Sequence, residues 1–210
     1  MIGFYNYSVI LTYISIISSV VGMFQALEGN IMISMLCLMI CGLCDMFDGT
    51  IARKVSRSDE AKKFGIQIDS LCDLVNFGVL PAVIGYAIGL RRWVGMLSII
   101  LYILAAVIRL GFFNVDEELR QQETAESRSY YRGLPVTSVS LIIPVSLLLN
   151  LIFRLKITLY YPLVLLGCAF AFVLDFKLKK PKKLGLYMLS LIGLILFVLV
   201  IIFGRMLCAR

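Results

Sequence analysis

The chain has 210 residues, of which 60% are hydrophobic and only 16% are charged, and its mean hydropathy is +0.95. A water-soluble domain of this size could not expose so much apolar surface, so the composition excludes that class and predicts an integral membrane protein. The 20 Lys and Arg against 13 Asp and Glu give a formal charge of +7. Because no soluble basic segment is visible, this charge favours contact with an anionic lipid leaflet and argues against nucleic acid as a partner.

Long apolar runs rich in helix formers predict spanning helices, because a transmembrane β-barrel would show alternating segments of about ten residues. A span needs about twenty apolar residues. We therefore expect an all-α, polytopic membrane bundle of about seven transmembrane helices, forming one domain over residues 1–210. Six or eight helices are the alternatives, because only residues 154–157 separate the fifth run from the sixth, and these two runs could form a bent or re-entrant pair. The predicted spans are 6–26, 31–52, 64–90, 93–114, 135–153, 158–176 and 184–205.

Six cysteines lie almost entirely within these apolar runs, and we interpret them as small packing residues rather than as a disulfide framework. Cys41 and Cys44 form a Cys-x-x-Cys pair, but the sequence has neither a second pair nor any histidine to complete a zinc site. The lack of histidine likewise disfavours haem ligation and a Ser-His-Asp triad.

Basic residues are distributed unevenly between the two sides that alternating spans create. Thirteen fall in the segments 53–63, 115–134 and 177–183, six fall on the opposite side, and Arg109 lies within a span. Under the positive-inside rule the first group faces the cytoplasm, so we expect a multi-pass protein of the cell membrane with its N-terminus inside. Residues 1–6 carry no cationic signal-peptide region, so the first apolar run should remain in the mature protein.

Four aspartates interrupt otherwise apolar helices near the predicted cytoplasmic surface. Asp45 and Asp48 lie near the end of the second span, and Asp69 and Asp73 lie near the start of the third. An unpartnered acid at mid-bilayer costs at least about 2.5 kcal/mol, and spacings of three and four residues keep each pair on one helical face. Small or polar residues share these faces and permit close helix approach, namely Gly42, Gly49, Ala52, Gly65 and Asn76.

If the two faces meet, four carboxylates share one pocket and cannot all ionise unless cations lie among them. Oxygen ligands without histidine or thiolate favour Mg²⁺ or Mn²⁺ over zinc. Two other interpretations stay open: the acids could be caps or solvated helix ends, or they could line the ion pathway of a membrane transporter. Clustering at one membrane edge beside basic residues favours a phosphate-bearing substrate over a pathway across the membrane.

The residues read Asp45-x-x-Asp48-Gly49-x-x-Ala52-Arg53, followed by Gly65-x-x-x-Asp69-x-x-x-Asp73. This pattern resembles the signature of the CDP-alcohol phosphotransferases, membrane enzymes that exchange the CMP of a CDP-linked lipid for an alcohol. All eight signature residue types are present over residues 45–73. Eleven residues separate Arg53 from Gly65, where the family usually has eight, but the extra three fall in a polar turn in which a longer loop costs little.

The resemblance implies roles for seven of the eight signature residues. Asp73 acts as the general base for the acceptor hydroxyl, and Arg53 holds the diphosphate through its planar fork of donors. Gly49 and Ala52 leave room for the CMP moiety, with simple helix packing as the alternative. A two-ion site of Mg²⁺ or Mn²⁺ is held by the four carboxylates, Asp45, Asp48, Asp69 and Asp73, of which Asp48 also lies against the substrate.

Three further segments, 69–82, 108–115 and 131–135, are similar to the family members that use L-serine as the acceptor. Many of these have Ser at Asn76 and Arg at Phe112, so the similarity is incomplete. The implied reaction converts CDP-diacylglycerol and L-serine to phosphatidylserine and CMP, with glycerol 3-phosphate or an inositol phosphate as the alternative acceptor. Arg109 is expected to bind serine or phosphate, with a buried structural pairing as the alternative, and Arg132 is a further substrate-binding candidate. Family members are commonly homodimers, so we expect one here.

Overall fold

The computed structural model describes residues 10–52, 58–123, 130–153, 156–179 and 183–208, and the structural statements below concern these residues. They form a helical bundle with two short strands, which confirms the predicted all-α membrane fold. Helices and strands have the following bounds: α1 Ile10–Leu27, α2 Ile31–Ala52, α3 Asp59–Asp73, α4 Leu80–Ala87, α5 Trp93–Glu123, β1 Tyr130–Arg132, α6 Val139–Phe153, α7 Ile157–Val173, β2 Lys177–Lys179 and α8 Lys183–Cys208.

Three helices are long and apolar enough to cross a membrane by length and composition: Ile10–Leu27, Glu60–Ala87 and Trp93–Arg120. The predicted span 64–90 consists of α3, a π-helical segment Leu74–Val79 and α4, which follow one another without a break. The fifth and sixth predicted spans are two separate helices, α6 and α7. Four further apolar helices in the described residues are shorter, namely Ile31–Phe47, Val136–Asn150, Ile157–Val173 and Met188–Ile202. The described part of the chain thus has seven apolar helices, and the expectation that all seven span the membrane stays a prediction.

The first two helices pack as a tight antiparallel hairpin. Gly29 forms the turn with a φ of +87°, a left-handed conformation that glycine adopts at no steric cost. A Cβ added at Gly22 would lie 2.8 Å from the Cβ of Cys37, so the missing side chain lets the two backbones approach. The Ser18 hydroxyl donates to the Cys37 carbonyl at 3.2 Å. The five cysteines whose thiols the structure describes are buried and form no disulfide bond, in agreement with a packing role.

The helix containing the π-helical segment is held by two tyrosines from other helices. Pro81 has no N–H, so the α-helical donor to the Phe77 carbonyl is missing. The hydroxyl of Tyr102 on α5 donates to that carbonyl, and the hydroxyl of Tyr161 on α7 donates to the Pro81 carbonyl at 2.9 Å. Both tyrosines are fully buried. Because unpaired backbone groups are expensive in a membrane, these bonds tie the π-helical segment to α5 and α4 to α7.

The segment between α5 and α6 docks onto the end of α7. Gly133 adopts a φ of +75°, and its N–H donates to the Phe176 carbonyl at 2.7 Å. The next N–H, of Leu134, donates to the Ala171 carbonyl at 3.1 Å. This second bond caps a carbonyl in the last turn of α7, which has no partner within its own helix. The strands β1 and β2 pair antiparallel beside this contact.

Successive helices alternate in direction, so their connections lie at alternate ends of the bundle. The end of α2 and the start of α3 share one end with the β1–β2 pair, which joins the segment after α5 to the segment after α7. We call this end the site side. A single buried apolar cluster extends from Ala26 on α1 to Val200 on α8 and supports the helices that carry the site.

Candidate active site

Three of the four predicted acids come together between α2 and α3. One carboxylate oxygen from each of Asp45, Asp69 and Asp73 lies within 4.8 Å of the others. Asp45 comes from α2, whereas Asp69 and Asp73 lie one turn apart on α3. All three side chains are partly exposed. The structure therefore brings acids from two neighbouring spans into one group, as the sequence led us to expect.

The two helices deliver these acids at defined positions along the bundle. Ser58 precedes α3, and its hydroxyl accepts a hydrogen bond from the Ala61 N–H at 3.3 Å, which caps the first turn. Asp69 and Asp73 follow at a spacing of four residues, which keeps both on one face of α3. On the other side of the group, α2 continues to residue 52, so Asp45 lies about two turns before its end.

The chemistry of this cluster fits a hard divalent cation. Three carboxylates at this separation repel one another in their ionised state and require a cation among them. Carboxylate oxygens are the ligands that Mg²⁺ and Mn²⁺ prefer. Within the described residues, this is the only group of three or more acids, cysteines or histidines arranged to hold an ion. The Cys41-x-x-Cys44 pair is not part of it.

The remaining signature residues lie at or beyond the end of α2. The backbone of Asp48, Gly49 and Ala52 is helical within α2, but their side chains lie outside the described residues. Arg53 lies outside the described residues altogether. The roles of these four residues in metal, CMP and diphosphate binding therefore stay predictions.

The small-residue stripe on α2 does not face α3 along its whole length. A Cβ added at Gly42 would lie 2.2 Å from the Oγ and 2.5 Å from the Cβ of Ser140, which is on α6. Gly42 therefore allows α6 to pack closely against α2. The expectation that Gly42 brings α2 close to α3 is wrong. The reason is geometric, because residues three apart on a helix differ by about 60° in direction. Gly42 can therefore face α6 while Asp45 faces α3.

A hydrogen bond that the sequence did not predict joins α3 to α5 beside the acids. The Ser70 hydroxyl donates to the amide oxygen of Asn114 at 2.7 Å. Ser70 directly follows Asp69 and lies three residues before Asp73. The available signal was a polar side chain, Asn114, in the apolar run of α5. The bond therefore fixes α3 against α5 at the level of Asp69 and Asp73.

The polar stripe on α3 continues into the π-helical segment and there turns towards α1. Asn76 is 1% exposed, and its amide nitrogen donates to the hydroxyl oxygen of Ser15 at 2.9 Å. The Ser15 hydroxyl in turn donates to the Thr12 carbonyl at 2.8 Å. The wider turn of the π-helical segment changes the helical period, so Asn76 faces α1 while Asp69 and Asp73 face Asp45.

Arg109 is a buried cation with a structural partner. Its side chain is 5% exposed, and its Nε donates to the Leu134 carbonyl at 3.1 Å. The guanidinium carbon lies 5.6 Å from the centre of the Phe113 ring. Arg109 thus connects α5 to the segment before α6, which is the structural pairing considered as the alternative. A role of its terminal nitrogens in binding substrate stays a prediction.

Arg132 lies on the exposed surface and is held by an ion pair. Its Nε donates to Oδ1 of Asp175 at 3.2 Å, and its Nη2 donates to Oδ2 at 2.5 Å. The guanidinium carbon lies 5.2 Å from the centre of the Phe112 ring. The hydrogen bond from Arg132 holds the pKa of Asp175 below its ordinary value. Because Asp175 already engages two of its donors, substrate binding by Arg132 stays a prediction.

The sequence profile of the CDP-alcohol phosphatidyltransferase family matches residues 5–174. The match covers most of the chain, including every acid of the cluster. This chain belongs to the CDP-alcohol phosphatidyltransferase family. Members of the family depend in general on divalent metal ions, which agrees with the oxygen-only donor set described above.

Similar relatives are found in bacteria, archaea and yeast. The CDP-diacylglycerol–serine O-phosphatidyltransferase of Saccharomyces cerevisiae is 36% identical over 107 residues, which are 50% of this chain and 38% of the relative. The protein of the same name from Mycobacterium tuberculosis is 32% identical over 126 residues, 60% of this chain and 43% of the relative. The archaetidylserine synthase of Methanothermobacter thermautotrophicus is 31% identical over 107 residues, 50% of this chain and 46% of the relative. The matched part of this chain thus spans less than half the length of each relative.

Proposed function

We propose that this chain is a phosphatidylserine synthase, which transfers the phosphatidyl group of CDP-diacylglycerol to the hydroxyl of L-serine and releases CMP. The observation that carries the proposal is the group formed by Asp45, Asp69 and Asp73 within 4.8 Å, inside the region that matches the family. L-Serine as the acceptor is supported by the names of the three relatives, each of which contains serine.

The metal ligands in this proposal are the three clustered aspartates together with Asp48, and the ions are two Mg²⁺ or Mn²⁺. Such ions would neutralise the charge of the diphosphate and would help to align the attacking serine oxygen with the leaving oxygen of CMP. The chain supplies ligands from two helices, so the relative position of α2 and α3 determines whether one ion can contact both. This is why contacts that fix α3, such as the bond between Ser70 and Asn114, bear on the reaction.

The general base in this proposal is Asp73. It takes the proton of the serine hydroxyl while the hydroxyl oxygen forms a bond to the phosphorus that carries diacylglycerol. The bond from that phosphorus to the CMP oxygen breaks, and CMP leaves with the electron pair. A positioned base of this kind contributes about 10² to 10⁴ in rate.

The substrate-binding residues surround this base. Arg53 holds the diphosphate through two parallel N–H donors, and Gly49 and Ala52 leave space for the CMP moiety at the end of α2. Arg109 and Arg132 bind the serine carboxylate or a phosphate oxygen. For Arg109 this requires its terminal nitrogens, because its Nε is bound to the Leu134 carbonyl.

The site side faces the cytoplasm of the cell in this proposal, because most basic residues of the sequence fall there.

The protein acts as a homodimer and as a single domain over residues 1–210. Light scattering of the detergent-solubilised protein, corrected for bound detergent, tests the dimer: a protein mass near twice 23.6 kDa is expected, and a mass near that of one chain contradicts it.

Purified protein in mixed micelles with CDP-diacylglycerol tests the reaction. We expect CMP release and phosphatidylserine formation with L-serine, loss of both with a chelator, and recovery with Mg²⁺ or Mn²⁺. Product formation only with glycerol 3-phosphate or an inositol phosphate would overturn the serine assignment and keep the family chemistry. Absence of CMP release with every acceptor, combined with ion flux in vesicles, would instead support a transporter.

A further inference from the structure

The two short strands on the site side form a small exposed surface. β1 and β2 pair so that Tyr130 lies opposite Lys179 and Arg132 lies opposite Lys177. Directly opposed residues of an antiparallel pair project from the same face, and these four side chains are all exposed. Leu178, which projects from the other face, is half-buried. We call the outward surface of Tyr130, Arg132, Lys177 and Lys179 the ladder face.

The ladder face carries more positive charge than the neighbouring chain neutralises. Asp175 is the only carboxylate in residues 130–132 and 174–179. Arg132 binds it, and Lys177 also attracts it electrostatically. Asp116 on α5 attracts Arg132, so the three cations of the ladder face meet two acids. In the part of the chain that the structure describes, neither Lys177 nor Lys179 has an ion-pair partner within 4.0 Å. Arg132 lies directly across from Lys177, and like charges in this position destabilise a strand pair. A short two-stranded pair is itself only marginally stable. Anions from outside the chain would therefore stabilise the pairing of β1 with β2 by reducing the repulsion between its cations.

The ladder face also lies where the apolar surface of the bundle ends. Phe170 and Val173, in the last turn of α7, are 68% and 57% exposed, as expected of side chains that contact lipid tails. The chain becomes charged at Asp175 and enters β2 two residues later. Across the ladder, Tyr130 is 52% exposed, and tyrosine is enriched at the level of lipid headgroups. The lysines therefore lie at the height of the phosphates.

From this combination we infer that the ladder face binds the headgroups of anionic phospholipids in the surrounding leaflet. Lys177 and Lys179 supply the excess positive charge, Tyr130 anchors the face at the interface, and the pairing with β1 holds the two lysines on one side. A lysine close to an anionic membrane surface strengthens binding about fivefold. The inference concerns the bulk anionic lipid of the leaflet and does not depend on which alcohol the enzyme uses.

A fluorescent reporter at the ladder face tests this inference directly. The sequence has one tryptophan, Trp93, and the 31-residue helix α5 places it about 45 Å from the site-side end of that helix. In a protein carrying Trp93→Phe and Tyr130→Trp, fluorescence at position 130 reports the lipid next to the ladder. The protein is reconstituted in vesicles of phosphatidylglycerol and phosphatidylcholine in which one or the other lipid is brominated. We expect brominated phosphatidylglycerol to be about fivefold or more enriched at the reporter, and 1 M salt to remove the preference by screening.

Charge variants separate a specific surface from general attraction. Lys177→Gln with Lys179→Gln should remove the preference at position 130, whereas Lys177→Arg with Lys179→Arg should keep it. Arg91→Gln with Arg92→Gln removes the same charge from exposed residues at the opposite end of the bundle and should leave position 130 unchanged. Equal quenching by both lipids, or a preference that survives the lysine-to-glutamine change, overturns the inference. The inference is also overturned if Arg91→Gln with Arg92→Gln removes the preference to the same extent as the change of the two lysines to glutamine. Should the glutamine variant fail to fold, the salt dependence of the reporter protein decides.

Discussion

The Ser70 hydroxyl on α3 and the Asn114 amide oxygen on α5 lie 2.7 Å apart and link the two helices immediately beside the carboxylate group. Ser70 lies between Asp69 and Asp73 in the sequence, so a rotation of α3 that moves Ser70 moves both acids. The bond can act on the carboxylate group through the position of α3. Its expected effect is on how well the carboxylates hold a cation.

Ser70→Ala should weaken activation by metal without abolishing activity. An amide oxygen left without its partner costs about 1–3 kcal/mol, and part of that cost is relieved when α3 shifts. We expect the Mg²⁺ concentration for half-maximal CMP release to rise about three- to tenfold. Ser98→Ala is the matched control, because Ser98 is buried on α5 and donates at 2.7 Å to the Gly95 carbonyl of its own helix. An unchanged metal dependence in Ser70→Ala would contradict the positioning role.

Asp73→Asn should nearly eliminate turnover while the protein stays folded. The substitution keeps the shape of the side chain but removes a base and a charged ligand, and loss of the base alone costs about 10² to 10⁴ in rate. Glu60→Gln provides the control, because Glu60 is an exposed acid on the same helix. Initial rates of CMP release, together with size-exclusion profiles, make the measurement. Substantial turnover in Asp73→Asn would rule out its assignment as the base.

The all-helical class of the fold and the meeting of Asp45 with Asp69 and Asp73 could be predicted because each depends on local patterns. A run of apolar residues long enough to span must be buried in lipid or protein, and acids within such runs must find a cation or one another. The neighbours of each helix face could not be predicted in the same way. Gly42 looked like part of one stripe with Asp45, yet the position of α6 decides that it meets Ser140.

Two other features, the pairing of β1 with β2 and the π-helical segment, could not be predicted from the sequence, for different reasons. The pairing of Tyr130 with Lys179 joins two polar segments of three residues each, which are too short to show the alternation of a strand. The π-helical segment Leu74–Val79 changes the helical period for a single turn, a shift that apolar residues on every side conceal. It redirects Asn76 from the acid stripe towards Ser15.

The ion pair between Arg132 and Asp175 should make a contribution to stability that disappears only in acid. Because the pKa of Asp175 is lowered in the folded protein, ionised Asp175 stabilises the fold above the unfolded pKa of about 3.9 and loses this effect as pH falls through the folded value. The melting temperatures of the unmodified protein and Asp175→Asn should differ by a constant small amount from about pH 5 to 8 and converge below about pH 4. Glu118→Gln, which changes an exposed acid on α5, is the control for the loss of one negative charge. A difference that grows in acid would have the wrong sign.

Gly42→Ala should destabilise the bundle through the contact between α2 and α6. The added Cβ would lie 2.5 Å from the Cβ of Ser140, which a side-chain rotation cannot move, so the helices must separate at a cost of about 1–3 kcal/mol. Thermal unfolding in detergent measures this cost. Gly111→Ala on α5 is the matched control: nothing lies within 4 Å of its added Cβ, and alanine favours a helix over glycine.

A second substitution separates crowding at this contact from a general weakening of α2. Ser140→Gly removes the colliding Cβ, so the double variant should recover most of the stability lost in Gly42→Ala, a non-additive result expected of residues in contact. The serine hydroxyl donates to the Thr137 carbonyl one turn earlier, at 2.7 Å. Ser140→Gly therefore removes no hydrogen bond between α6 and α2. If the losses of the two single variants simply added, Gly42 and Ser140 would not be in close contact.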